Sequence, residues 1–247
     1  MAPVQNEDRK DMGLKLLQKG LLLQKGLETG VPDPDAALSW YFRAARVGCL
    51  AAMRQLGLFY RERQDYENAY YWFLEAALGG EPDSLYHLGD LYYRGVYVRR
   101  DAEKAYRYLE KAYRKGSEEA CFYMGLYAEN GWPGDAEPDM NKALMYYREG
   151  IRDGSAGSAL ALGRCFRLGK GVPRNPETGR EYALLAYRWG SEEACEALGR
   201  IYETGEGAEP DPRKAMAYYA EGVKRGSAAC GRALEKLKEQ EGTADGR

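Results

Sequence analysis

One spacing of small residues recurs six times along this chain of 247 residues. Each copy starts at a small anchor residue, has a second small residue seven positions later and ends with a glycine eleven positions after the anchor. The anchors are Ala37, Ala69, Ala105, Ala143, Gly179 and Ala215, and the closing glycines are Gly48, Gly80, Gly116, Gly154, Gly190 and Gly226. Six copies of one rule indicate a repeat protein with a unit of roughly 36 residues.

The residues around each anchor predict an amphipathic helix. Bulky side chains stand three and four positions after five of the anchors: Trp40 and Tyr41, Trp72 and Phe73, Tyr108 and Leu109, Tyr146 and Tyr147, and Tyr218 and Tyr219. Positions 0, 3, 4 and 7 share one face of a helix. There, small residues let a neighbouring helix approach, and aromatic rings fill the space beside them. The closing glycine predicts the helix end, because glycine readily adopts the left-handed conformation.

An apolar-glycine pair marks another helix before each anchor. The pairs are Leu56-Gly57, Leu88-Gly89, Met124-Gly125, Leu162-Gly163 and Leu198-Gly199, with Gly20 as a degenerate first copy. A further glycine six residues later predicts the end of this helix at Gly26, Gly95, Gly131, Gly169 and Gly205. Each unit is therefore predicted to be a helix, a turn and a second helix, which we call helix A and helix B.

Such hairpins cannot bury their apolar faces alone, so they are expected to stack around a continuous core. The predicted fold is all-α, a right-handed α-solenoid of about six antiparallel helix-turn-helix repeats with a C-terminal capping helix. The expected boundaries are a polar N-terminal segment at 1–11 whose composition suits disorder, one solenoid at 12–238 with units at 12–49, 50–81, 82–117, 118–155, 156–191 and 192–227, a capping helix at 228–240 and a flexible tail at 241–247.

The third unit carries the most complete motif. It reads Ser84, Leu88-Gly89, Tyr92, Gly95-Val96, Asp101, Lys104-Ala105, Tyr108, Ala112 and Gly116. This pattern resembles the Sel1-like repeat family, a relative of the tetratricopeptide repeats. The second unit departs from it, because Arg63 stands where the second glycine is expected, and the fifth has Gly179 in place of alanine. The resemblance implies an adaptor that gathers other proteins.

The overall composition argues against several classes of protein. The chain is 45% hydrophobic and 30% charged, with a formal net charge of −2 and a pI near 5.8. A protein that depends on phosphate contacts should be far more basic, so nucleic acid is not expected as a partner. The start of the chain lacks the unbroken apolar run of a secretory signal, and no stretch suits a membrane span. We therefore expect a cytoplasmic protein.

Residue types that carry chemistry are scarce. The chain has one histidine, His87, and its five cysteines form no C-x-x-C pair, so we expect no catalysis, no metal site and no cofactor. His87 shares a repeat column with Gln55, Tyr123, Ala161 and Ala197, whose variety predicts an exposed or partly exposed helix face. One secreted branch of the resembled family, associated with β-lactam binding, has a cysteine pair in every unit, which this chain lacks. A β-lactam-binding or β-lactamase-like enzyme and a nucleic-acid-binding solenoid remain the alternatives.

The predicted function is a non-catalytic scaffold that binds a peptide or protein partner in its concave groove, as a monomer or with weak self-association. In helical-hairpin solenoids the A helices line that groove, and their positions outside the packing face point into it. The candidate binding residues are Gln55, Leu58, His87, Asp90, Arg94, Tyr123, Leu126, Asn130, Arg164, Arg167 and Arg200. Because arginine forks match carboxylates, Arg164, Arg167 and Arg200 predict capture of an acidic or C-terminal peptide. Leu58, Leu126 and Tyr123 are predicted to be exposed apolar anchors.

Overall fold

The computed structural model of the chain describes residues 6–27, 30–132 and 137–244. These residues form thirteen α-helices and contain no β-strand. The chain folds as two compact units, residues 1–117 and residues 118–247, which we call unit 1 and unit 2. Within each unit, consecutive helices pack as A and B pairs, and each pair packs against the next. The predicted all-α fold of paired helices is confirmed.

Nearly all the helices after the first have one length. Unit 1 contains α1 (Asn6–Gln24), α2 (Pro34–Arg46), α3 (Leu50–Glu62), α4 (Tyr66–Leu78), α5 (Pro82–Arg94) and α6 (Ala102–Arg114). Unit 2 contains α7 (Glu118–Asn130), α8 (Met140–Arg152), α9 (Ala156–Leu168), α10 (Pro176–Arg188), α11 (Glu192–Thr204), α12 (Pro212–Lys224) and α13 (Ala228–Ala244). Odd-numbered helices up to α11 are A helices, even-numbered ones are B helices, and α13 follows the last pair.

Every B helix begins at a capping side chain. The caps are Asp33, Asp65, Asp101, Asp139, Asn175 and Asp211, and each accepts a hydrogen bond of 2.8 to 3.2 Å from the backbone N–H three residues later. Such a cap satisfies one of the four N–H groups left open at a helix start and stabilises the helix by about 1 kcal/mol. The caps therefore fix where each second helix starts.

Left-handed residues end the helices as predicted. The six closing glycines have φ between 86° and 100°, and the five glycines that end A helices have φ between 68° and 76°. In the second pair, where Arg63 occupies that position, Gln64 adopts the left-handed conformation with φ 61°. Only three residues separate α3 from α4 there, so the chain turns without a glycine.

The glycine of each apolar-glycine pair is required by packing. A Cβ added at Gly57 would lie 2.5 Å from the ring of Phe73, which stands four residues after the anchor of the same repeat. Gly20 meets Tyr41 and Gly89 meets Leu109 in the same way. The predicted close approach of small residues and rings is therefore confirmed within the pairs.

The fifth pair packs differently. A Cβ on Gly163 of α9 or on Gly179 of α10 would lie 2.8 Å from the carbonyl oxygen of the other. Gly179 replaces an alanine anchor, and Ala183 stands where the other pairs have a ring or a leucine. The two helices thus meet backbone to backbone, and they leave space where a bulky side chain would lie.

Helices lie at both ends of the described residues. Helix α1 begins at Asn6, so it includes residues 6–11 of the polar segment whose composition suits disorder, and residues 1–5 lie outside the described residues. Helix α13 reaches Ala244, beyond residue 240, the expected end of the capping helix, and residues 245–247 lie outside the described residues. In α13, Cys230 and Leu237 are buried whereas Arg232 and Glu235 are exposed, as a capping helix requires.

Candidate functional site

A cleft of about 330 Å³ opens on the A helices of unit 2. Helices α7, α9 and α11 line it, and α10 contributes where it meets α9. Its floor is apolar and consists of Phe122, Leu160, Ala161, Ala183, Ala197 and Ile201. A polar depression of about 190 Å³ adjoins it along α11, and the two share Arg167, Glu193, Ala197 and Ile201. We call the two together the unit 2 cleft.

Short side chains at three repeat positions open this cleft. In the column two residues before the glycine of each apolar-glycine pair, Gln55, His87 and Tyr123 are bulky, whereas the fifth and sixth pairs have Ala161 and Ala197. Ala183 is the third short side chain, at the position where the other pairs have a ring or a leucine. The volume that longer side chains would fill at these positions remains as open space between the helices.

Glu129 holds one of the cleft arginines. The Glu129 carboxylate, with a side chain only 6% exposed, accepts hydrogen bonds from Arg164 at 2.7 Å, Tyr147 at 2.8 Å and Lys170 at 3.1 Å. Burial alone would raise the pKa of Glu129, but the bonds from Tyr147 and Lys170 and the charge of Arg164 hold this pKa below its ordinary value. The carboxylate therefore stays ionised and offsets the charge of Arg164.

Glu206 holds a second arginine in the same manner. Its carboxylate accepts hydrogen bonds from Arg167 at 2.7 Å and Arg174 at 3.1 Å. Glu206 lies between two left-handed glycines, Gly205 and Gly207, in the loop that follows α11. Burial acts to raise the pKa of Glu206, but the two guanidinium groups lower it below its ordinary value. Arg167 and Arg174 thus share one internal carboxylate.

The remaining charged groups of the cleft lie along α11. Glu193, in the first turn, accepts a hydrogen bond of 2.9 Å from the Ser191 hydroxyl. Among the described residues, Glu193, Glu196 and Arg200 take part in no ion pair. All three line the polar depression. The exposed edge of α11 is therefore acidic near its start and basic one turn before its end.

The structure brings together the three arginines predicted for the groove. Arg164, Arg167 and Arg200 all line the unit 2 cleft. Their predicted binding role stays a prediction, since Arg164 and Arg167 already have carboxylate partners within the chain.

The expected exposure of His87 is wrong. His87 is buried between α3 and α4, where its Nδ1 lies 3.1 Å from a guanidinium nitrogen of Arg61 and its ring centroid 4.5 Å from that of Phe73. Burial, followed by the charges of Arg61 and Arg54, lowers the pKa of His87 well below its ordinary value. The His87 ring is therefore neutral at pH 7, and it packs against Phe73 in the interior of unit 1.

Other predicted groove residues vary in exposure. Tyr123 is also buried, at 4% exposure, so the prediction that it is an exposed anchor is wrong. Leu58 and Leu126, predicted to be exposed, are half-buried. Two further candidates are half-buried and two are exposed: Gln55 and Asp90 in the first group, Arg94 and Asn130 in the second. Asp90 pairs with Arg94 at 2.6 Å, and the Asn130 side chain donates to the Leu126 carbonyl at 2.7 Å.

Sequence reasoning missed the apolar floor. Phe122, Leu160 and Ile201 were assigned to no groove position, and neither was Glu196 on the rim. Phe122, Leu160 and Glu196 each lie three residues before the glycine of an apolar-glycine pair. That column precedes by one residue the column that contains Ala161 and Ala197, and residues of both columns line the cleft.

The described residues contain no group of three or more histidine, cysteine, aspartate or glutamate residues placed to hold a metal ion. None of their helices is both long enough and apolar enough to span a bilayer. All five cysteines are free thiols, and Cys121, Cys165, Cys195 and Cys230 are buried.

Comparison with known proteins places the chain in a family. The Sel1 repeat family matches residues 12–49, 50–81, 82–117, 118–155, 156–190 and 192–227. The chain resembles AlgK, an alginate biosynthesis protein of Pseudomonas syringae pv. tomato, with 32% identity over 106 residues, which are 43% of this chain and 22% of that protein. It is 37% identical over 138 residues to an uncharacterized protein of Neisseria meningitidis serogroup B, covering 56% of this chain and 29% of that protein.

A solved structure agrees with these matches. The Sel1 repeat protein of Oxalobacter formigenes superposes with a TM-score of 0.67 and 29% identity, covering 86% of this chain and 88% of that one. The chain spans less than a third of the length of both curated relatives named above. With six matched repeats and paired helices throughout the described residues, the chain belongs to the Sel1 repeat family and has its α-solenoid fold.

Proposed function

We propose that this chain is a non-catalytic scaffold that binds a segment of another protein in the unit 2 cleft. Sel1 repeat proteins commonly serve as protein-interaction scaffolds. The observation that carries the proposal is an open apolar floor, from Phe122 to Ile201, bordered by charged side chains on the A helices. An apolar recess with a polar rim is the arrangement by which folded proteins hold a side chain of a partner.

The volume of the cleft limits the size of the partner group that can enter it. A volume of about 330 Å³ suits one or two apolar side chains and leaves no room for a folded element. Burying one leucine or phenylalanine contributes about 1.5–3 kcal/mol, so a single anchor gives weak binding alone. Polar contacts on the rim and further contacts along the A helices would supply the remainder.

The proposal concerns binding because the cleft offers no nucleophile paired with a base. The described residues that line it include no serine, cysteine or histidine, and the hydroxyl of Thr204 donates to the Arg200 carbonyl at 2.8 Å. Its arginines and glutamates are arranged for recognition: two of the arginines are fixed by internal carboxylates, which holds the rim in one geometry.

A cleft-filling substitution tests the proposal. A random linear peptide library displayed on phage is selected on the full chain, and the enriched peptides are then measured against two variants. Ala197→Trp places an indole ring in the cleft, whereas Ala217→Trp places the same ring on the exposed side of α12. We expect Ala197→Trp to abolish binding of the enriched peptides and Ala217→Trp to leave it unchanged.

Two outcomes of this selection would refute the proposal. Enrichment of no peptide, or of peptides that bind Ala197→Trp as tightly as the wild type, would show that the cleft is not a binding site. Circular dichroism of both variants establishes that the helices are intact. The same pair of variants then separates cleft-dependent partners from background when natural partners are captured from cell extract and mapped by cross-linking.

A further inference from the structure

We infer that the partner segment carries a basic side chain beside its apolar anchor and an acidic group beyond it, aligned with the charges of α11. This inference rests on the proposed function and adds the charged groups of the bound segment and their placement along α11. It differs from capture of a purely acidic peptide, which the three arginines alone would predict.

The internal ion pairs decide which charges of the cleft remain for a partner. Glu129 offsets Arg164, and Glu206 is shared by Arg167 and Arg174. Each glutamate is held in ionised form by at least two hydrogen bonds, so a carboxylate from a partner would meet a guanidinium that already has an internal counter-charge. Such an exposed contact adds less than a contact with an arginine that has no ion-pair partner. Arg164 and Arg167 therefore shape the rim, and Arg200 is the cleft arginine without an ion-pair partner among the described residues.

The charges without an ion-pair partner lie in order along α11. Glu193 and Glu196 occupy the first two turns, and Arg200 lies one turn further, with the apolar Ala197 and Ile201 between and beside them. Two acidic groups against one basic group make this edge net acidic. A bound segment with a basic side chain over Glu193 and Glu196 and an acidic group near Arg200 is complementary to it.

The spacing restricts the arrangement of the segment. Four to seven residues of helix span about 6 to 10 Å between the acidic and basic groups of α11. An extended peptide covers this distance in about two or three residues. The matching sequence is a basic residue, an apolar residue that enters the cleft, and an acidic residue, in a run of about three or four positions. Because an extended peptide can lie in either direction along α11, the basic residue can precede or follow the acidic one in the sequence of the segment.

Charge reversal on α11 tests the inference with the peptides selected on the wild-type chain. The double variant Glu193→Lys/Glu196→Lys should weaken peptides that carry the basic residue about tenfold or more, and a peptide in which that residue is replaced by glutamate should regain the loss. The matched control is Glu192→Lys, because Glu192 is exposed in the same helix turn and does not line the cleft. It should change affinity less than twofold.

Selection on Arg200→Glu provides the reciprocal measurement. The peptides it enriches should carry a basic residue at the position that is acidic in wild-type peptides, and Arg213→Glu, an exposed control on α12, should leave the selected pattern unchanged. Peptides that lose binding to Ala197→Trp but tolerate both charge reversals would overturn this inference and leave the proposed function intact. Peptides with acidic residues alone would also overturn it. Failure to select any cleft-dependent peptide would remove both.

Discussion

The Tyr147 hydroxyl donates a hydrogen bond of 2.8 Å to the Glu129 carboxylate while the edge of its ring covers Gly125. The same relationship recurs in the first and sixth pairs, where Tyr41 donates to Gln24 at 2.6 Å and Tyr219 donates to Glu203 at 2.7 Å. In each case the acceptor lies four residues after the glycine under the ring. The pairs that have Phe73, Leu109 or Ala183 in place of tyrosine have Arg61, Tyr93 and Arg167 at the acceptor position. A tyrosine thus occurs where a glutamate or glutamine can accept a hydrogen bond from its hydroxyl.

Removal of these hydroxyls should have unequal effects. Tyr147→Phe removes a donor to a buried carboxylate, and we expect it to lower the free energy of unfolding by about 1.5–3 kcal/mol. Tyr41→Phe removes a donor to the neutral amide of Gln24, and we expect a loss of about 0.5–1.5 kcal/mol. Urea unfolding followed by far-ultraviolet circular dichroism measures both.

Tyr71→Phe is the control for the loss of a hydroxyl as such. Tyr71 is 51% exposed and makes no hydrogen bond with a described residue, so its substitution should change stability by less than about 0.5 kcal/mol. Equal losses for Tyr147→Phe and Tyr41→Phe would show that the charge of Glu129 does not strengthen its bond to Tyr147.

Alanine should have opposite effects at two helical glycines. At Gly57 its Cβ would lie 2.5 Å from the Phe73 ring, so Gly57→Ala should destabilise the protein by about 1–3 kcal/mol despite the better helix propensity of alanine. At Gly231 in α13 the nearest side-chain atom, from Val223, would lie 3.8 Å away. Gly231→Ala should therefore stabilise the protein by up to about 1 kcal/mol.

The two alanine variants are compared by urea unfolding under one condition. A stabilising Gly57→Ala would mean that Phe73 moves aside without cost, and the packing role assigned to the apolar-glycine pairs would then be wrong. A destabilising Gly231→Ala would indicate a contact on α13 that the geometry does not provide.

Recurrence made most of the fold predictable from sequence. The closing glycines at one spacing located the helix ends, and the anchor residues with their rings located the packing face of each B helix, because both depend on residues close together in the chain. Gln64 illustrates a local exception, because the chain turns in the left-handed conformation there although it has no glycine at this point. Geometry imposed by short loops here outweighed the preference of a single residue.

The cleft depends on relationships that one column of the repeat cannot show. Ala161 and Ala197 are small in a column that holds Gln55 and Tyr123 elsewhere, and their effect appears only when Ala183 of a B helix is also small. Pairing of Arg164 with Glu129 joins residues 35 positions apart in the sequence. The charge of an arginine is visible in the sequence, but whether a carboxylate already satisfies it is decided by tertiary structure.

The free energy of unfolding should decrease as the pH is lowered below neutrality, because the pKa of His87 is lowered in the folded protein. Its folded-state pKa is well below the unfolded value near 6.5, with Arg61 and Arg54 facing the ring. Above pH 6.5 the ring is neutral in both states and stability is fully present. As pH falls below 6.5 the unfolded chain binds a proton that the folded chain does not. The free energy of unfolding should then decrease by up to about 1.4 kcal/mol per pH unit until the folded-state pKa is reached.

His87→Gln supplies the comparison, because glutamine can accept a hydrogen bond from Arg61 but does not titrate. Its stability should be nearly constant between pH 7 and pH 5.5, since the lowered pKa values of Glu129 and Glu206 place their contributions at lower pH. The chain has one histidine, so the ring proton resonances of His87 can be followed without ambiguity. Titration of those resonances near pH 6.5 would contradict the burial described for this ring.

Substitution of Arg164 and of Arg200, which occupy the same position in their repeats, should affect stability and binding differently. Arg164 is bonded to the buried Glu129, so Arg164→Ala should lower the free energy of unfolding by about 1–3 kcal/mol, with Tyr147 and Lys170 left to hold the carboxylate. Arg200 is exposed and forms no ion pair with a described residue, so Arg200→Ala should change the free energy of unfolding by less than about 0.5 kcal/mol.

Arg200→Ala should lower the affinity for cleft-dependent peptides about threefold to tenfold, because it removes the positive charge that remains available to a partner. Isothermal titration of the selected peptides and urea unfolding of both variants measure the two effects independently. If Arg164→Ala weakened binding without loss of stability while Arg200→Ala changed neither, the partner would have to bind Arg164, and the assignment of Arg164 to the framework of the cleft would be wrong.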